Sequence, residues 1–111
     1  MRILLDECVH VGVKAAFSGH IVKSVTETSW RSSKDGPLLA FAQDEFDVFV
    51  TIDRNLEHQQ NLARLKLGFV VVRVPSNELA YYLPLFKQLR TASETVKKGA
   101  VTYVLAQQTK R

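Results

Sequence analysis

With 111 residues, 46% of them apolar, the chain can bury one sizeable core, and residues 1–111 are read as a single domain with no run near the roughly 18 apolar residues of a membrane-spanning helix. A lone cysteine, Cys8, excludes an internal disulfide and sets the expectation of cytoplasmic residence. The net charge of +4 is split unevenly: residues 1–55 hold six Lys and Arg against eight Asp and Glu, whereas residues 56–111 hold nine against three, a balance that suits a polyanion such as RNA in the later half.

Arg2 to Asp6 reads as a first strand, and its acid arrives too early for a signal-peptide core. Val9, Val13, Ala16 and Phe17 have helical spacing up to Gly19, which can end the helix. Ile21 to Val25 is a second strand. Thr26 to Lys34 is polar except for Trp30 and reads as a loop, with Trp30 expected to cover the core edge rather than to stack on a nucleic-acid base. Asp35 is expected to cap a helix that places Pro37 in its first turn and Leu38, Leu39, Ala42 and Phe46 on one face.

Val48 to Ile52 is a continuous apolar strand of the kind buried on both faces in parallel sheets. Asn55 to Arg64 is a short helix or loop, and Phe69 to Val74 a further strand. Pro75-Ser76-Asn77 is a turn leading into a helix through Leu79, Leu83, Phe86 and Leu89, which Pro84 should kink or restart. Gly99 resets the chain before a last, edge strand from Ala100 to Leu105. Strands separated by helices predict an α/β fold, a three-layer α/β/α sandwich with a mainly parallel central sheet.

Asp6 and Asp53 each follow an apolar strand, and Asp35 opens the helix between them. In a parallel sheet all three can reach the carboxyl edge, where ligands gather in open α/β folds. Converging carboxylates repel, by roughly 4 kcal/mol for two charges at about 4 Å and an effective dielectric near 20. A divalent cation removes that penalty, and oxygen-only ligands favour Mg²⁺ or Mn²⁺ over zinc. Such an ion suits phosphodiester hydrolysis. Each acid also has a structural reading: Asp6 and Asp35 as helix caps, Asp53 as a turn initiator. Arg54, Arg31 and Lys34 adjoin these acids and are candidate phosphate contacts. Cys8 is expected to be a small buried residue, and His58 a surface one.

The segments Ile3-Leu4-Leu5-Asp6-Glu7-Cys8 and Asp35-Gly36-Pro37-Leu38-Leu39, followed by Val48-Phe49-Val50-Thr51-Ile52-Asp53-Arg54-Asn55, resemble the PIN-like domains, and the chain as a whole resembles a compact branch related to VapC-type toxin ribonucleases. The resemblance implies a metal-dependent endoribonuclease, the toxin of a toxin–antitoxin pair. It places Asp6, Asp35 and Asp53 on metal-holding positions and Thr51 on the hydroxyl residue supporting the last acid. It also implies a small antitoxin partner and homodimerisation. Larger PIN domains carry another helical acid for which residues 19–34 leave no room, and Asn55 stands where many relatives have Asp. Glu7 is a candidate replacement. A catalytically degenerate module that binds RNA or protein is therefore the alternative. A third reading, a phosphorylated receiver domain, would use Asp6-Glu7, Asp53 and Ser76, but a lysine just after the last strand is missing and Lys110 comes too late.

Overall fold

A computed structural model describes residues 1–106. Five strands, β1 (Arg2–Leu5), β2 (Ile21–Ser24), β3 (Val48–Thr51), β4 (Gly68–Arg73) and β5 (Val101–Leu105), form one sheet in the order β2-β1-β3-β4-β5. All pairings are parallel. The helices are α1 (Asp35–Ala42), α2 (Leu56–Gln59), α3 (Leu79–Tyr82) and α4 (Phe86–Thr95).

Side-chain alternation divides the core between the two faces of the sheet. Ile3, Leu5, Val48, Val50, Val70, Val72 and Val104 point to one face, where they meet Val13 and Phe17 and the buried Leu89 of α4. Leu4, Phe49 and Phe69 point to the other, against Leu38, Leu39 and Ala42 of α1 and Leu56 of α2. With both faces covered, every residue of β3 is buried, as its unbroken apolar run predicts. The result is an α/β domain in three layers with an entirely parallel sheet.

Two local differences from the sequence reading matter. The helix expected from Val9 forms as a 3₁₀ turn, Val11–Phe17. β-Branched Val11 and Val13 flank Gly12, a poor helix former, and His10 Nδ1 accepts from the Gly12 N–H, which fixes the start of the turn. The Leu79 side chain at the start of α3 packs close to Gly12, where a Cβ would lie 2.8 Å from Leu79 Cδ1 and would move that side chain. The second difference is at α1: Lys34 occupies the capping position, and Asp35 is the first helical residue. Pro84 behaves as expected, in a 3₁₀ turn, Leu83–Leu85, between α3 and α4.

The order of strands changes winding direction at β1. The chain goes from β1 outward to β2, returns to β3 on the other side, and continues to β4 and β5. The crevice at the carboxyl ends of β1 and β3 is therefore the topological switch point of the sheet.

Candidate functional site

Two of the three acids, Asp6 and Asp53, are delivered to this switch point by the sheet, and the third, Asp35, by the start of α1. Leu5 pairs with Val50, and the Asp6 N–H continues the ladder to the Val50 carbonyl at 2.9 Å. Asp6 thus stands beside Thr51, the last residue of β3. The Thr51 hydroxyl, completely buried, donates to Asp6 Oδ2 at 2.7 Å and accepts from the Asp53 N–H at 3.0 Å. Thr51 therefore links the two strand ends. This corrects the expected direction of support: the hydroxyl holds the side chain of the first acid and only the backbone of the last.

The other carboxylate oxygens follow the local chain. Asp6 Oδ1 accepts from the Glu7 N–H at 2.8 Å, and Asp53 Oδ1 accepts from the Asn55 N–H at 2.9 Å. The second bond is an Asx turn, so the structural reading of Asp53 as a turn initiator also holds. Asp35 makes no side-chain hydrogen bond among the described residues, and α1 has no side-chain cap. Its capping role is overturned because it lies one residue inside the helix. Its carboxyl is pushed above the usual aspartate value by burial first and then by the charges of Asp6 and Asp53. Asp35 thus lies within the electrostatic reach of both Asp6 and Asp53. Among the described residues, no group of three His, Cys, Asp or Glu side chains is spaced to hold a metal ion as it stands.

Glu7 points elsewhere. Its Oε1 accepts from the Ser32 N–H at 2.6 Å, tying down the loop before α1. Ser32 has φ +63°, a left-handed conformation that a non-glycine residue adopts at some cost, and the Glu7 bond holds it there. Residues 19–34 hold only β2, a 3₁₀ turn, Val25–Glu27, and turns, so no helical acid stands in that region. Cys8 is exposed rather than buried, a further reversal, because the chain turns after Asp6. Its sulfur lies 3.8 Å from Thr51 Oγ1, and burial of the thiol by neighbouring groups, followed by the Asp6 charge, pushes its pKa up to about 11.

Arg31, Lys34 and Arg54 are exposed and make no ion pair among the described residues. Trp30 packs on the edge of the core as expected: its ring stacks on Phe41 with centroids 6.3 Å apart and meets Phe46 edge-on at 6.1 Å. His58 is exposed. The residues that sequence reading missed are the tether from Glu7 to Ser32 and the partner of the Thr51 hydroxyl. Alternation placed Thr51 on the side of Asp53, but nothing in the sequence says that β1 lies next to β3.

Comparison with protein-family models, curated proteins and solved structures found no match.

Proposed function

We propose that the chain is a metal-dependent endoribonuclease of PIN-like type, acting as the toxin of a toxin–antitoxin pair. The observation that supports the reading is the meeting of Asp6 and Asp53 at the switch point, joined through the Thr51 hydroxyl, with Asp35 at the start of α1 within the field of both charges. The donor set is all oxygen and mutually repelling, which suits a hard cation, and Asp6, Asp35 and Asp53 are the residues that would hold Mg²⁺ or Mn²⁺. A bound ion would supply a water of lowered pKa and positive charge for phosphodiester hydrolysis.

The chain's own groups have distinct tasks in this reading. Thr51 and the Glu7 N–H fix the Asp6 carboxylate, while the Asn55 N–H orients Asp53. Asp35 enters from another element with both oxygens uncommitted to the protein. Arg31, Lys34 and Arg54, exposed and close in sequence to Asp35 and Asp53, offer cations to RNA phosphates.

Titration with Mn²⁺ by calorimetry, together with cleavage of single-stranded RNA, tests the proposal. Wild type binds the ion and cleaves, whereas Asp6→Asn and Asp53→Asn keep the circular dichroism of the fold and lose both activities. Equal cleavage by wild type and both variants would remove the mechanism. RNA binding without cleavage in Mn²⁺ would instead select the degenerate binding module.

One observation favours a second reading. The order β2-β1-β3-β4-β5 is that of receiver domains, and Asp6-Glu7, Asp53 and Ser76 follow β1, β3 and β4 as the phosphorylation residues of receivers do. Against it, Ser76 is engaged with Glu78, to which its hydroxyl donates at 2.5 Å, and β5 runs into Ala106 with no lysine at its end. Lys110 lies outside the described residues. Stable labelling of Asp53 by acetyl phosphate would establish this reading over the nuclease.

A further inference from the structure

The two edges of the sheet are treated differently. β2 carries Lys23, and the N–H of Ser24 is already satisfied by Glu27 Oε1 at 2.8 Å, so that edge is blunted. Among the described residues, β5 has neither device. Its sequence, Val101-Thr102-Tyr103-Val104-Leu105, holds no charge. Ala100 accepts from the Phe69 N–H, and Ala106 donates to the Arg73 carbonyl. By the alternation of a parallel ladder, the even-numbered residues face β4 and the backbone groups of Val101, Tyr103 and Leu105 face outward. Tyr103 and Leu105 are also exposed, at 41% and 53%.

Beside this edge runs a groove of about 400 Å³ between α4 and β5, lined by Lys87, Gln88, Thr91, Thr95, Thr102 and Tyr103. Charged side chains that touch the strand or adjoin it in the chain are cations. Lys87 lines the groove, the Arg73 guanidinium lies 5.1 Å from the centre of the Tyr103 ring, and Lys97 and Lys98 lead into the strand. Glu94, on the same helix, is engaged instead with His20 and Arg90.

We propose that the outer edge of β5 is a docking strand for an extended acidic segment of another protein, which adds to the sheet as a sixth strand. Main-chain hydrogen bonds to Val101, Tyr103 and Leu105 would hold it, and its carboxylates would face Arg73 on one side and Lys87 in the groove on the other. The same charges disfavour a second copy in this place. A two-fold pairing centred on Tyr103 would bring the Lys97-Lys98 end of each strand toward the Arg73 end of the other. The inference is independent of the carboxylate site, which lies at the ends of β1 and β3.

The probes are two short peptides, one repeating Val-Val-Glu-Glu, which sets glutamates on both faces of an added strand, and one repeating Val-Val-Lys-Lys, followed by amide chemical shifts of the full chain. The acidic peptide is expected to shift the amides of Val101, Tyr103 and Leu105, and the basic peptide to bind at least about tenfold more weakly. Tyr103→Pro removes only an outward N–H and should abolish binding without loosening the ladder to β4. Should that variant fail to fold, Arg73→Glu combined with Lys87→Glu leaves the backbone intact and must reverse the preference between the peptides. Equal binding of the two peptides by wild type, or unchanged preference in the charge-reversed variant, overturns the proposal. So does a wild-type dimer in sedimentation that Tyr103→Pro converts to monomer, since the edge would then belong to a second copy.

Discussion

Replacing Thr51 by Val tests whether one hydroxyl joins the two strand ends of the site. The residue is completely buried, and its hydroxyl makes two short bonds, to Asp6 Oδ2 at 2.7 Å and from the Asp53 N–H at 3.0 Å, beside a longer contact of 3.8 Å with Cys8 Sγ. A hydrogen bond to a charged group contributes about 1.5–3 kcal/mol, and a lost neutral one about 1 kcal/mol. Valine keeps the shape and suits a strand, and water can reach the half-buried Asp6, so the net loss should be ~2 kcal/mol, or a fall in Tm of roughly 10 °C for a domain of this size. Thr51→Ser retains the hydroxyl and loses one buried methyl, at a cost of ~1 kcal/mol. Urea denaturation of both variants, and of Thr51→Val combined with Asp6→Ala, separates the bond from the burial. The double variant should show a coupling of about 1 kcal/mol or more between the positions. Equal stability of the Val and Ser variants, or no coupling, would refute the view that Thr51 clamps Asp6.

Further expectations concern single groups. Burial and the charges of Asp6 and Asp53 raise the Asp35 pKa in the folded protein, so its ionised form destabilises the fold above that raised pKa; the penalty fades as pH falls through it and is gone below the ordinary value of 3.8. Asp35→Asn should accordingly be more stable than wild type at pH 7 and indistinguishable below that ordinary value, in denaturant titrations at both pH values. Gly99 has φ +79°, and a Cβ there would lie 2.8 Å from the Ala63 carbonyl oxygen, so Gly99→Ala should cost at least ~2 kcal/mol in urea denaturation. Gly36→Ala, whose added Cβ would come no nearer than 3.6 Å to Gln60 Oε1, should be close to neutral in the same assay. The Cys8 thiol, raised from 9.0 to about 11, should be alkylated by iodoacetamide at pH 8 on the order of 100-fold more slowly than an unperturbed thiol, despite its exposure.

Elements were legible in this chain wherever local pattern and tertiary demand agree. The unbroken run from Val48 to Ile52 announced a strand buried on both sides, which forms as Val48–Thr51, and Pro84 announced the break between α3 and α4. Legibility failed where a single residue decided the geometry. Asp35 has the chemistry of a cap, but the chain enters α1 one residue earlier, and that leaves its carboxyl without a capping bond and within the field of Asp6 and Asp53. Cys8 has the apolar character of a core residue, yet the turn after Asp6 carries it outward.

The sequence by itself determined which acids end their strands and which open a helix, because apolar runs and helical spacing are local properties of the chain. Only the tertiary structure decided that Asp6 and Thr51 are neighbours, that Glu7 is spent on Ser32, and that β5 is the last strand of the sheet among the described residues, with cations beside it. Those facts depend on strand order and register, which arise from packing two faces of one sheet at once and leave no mark at any single position.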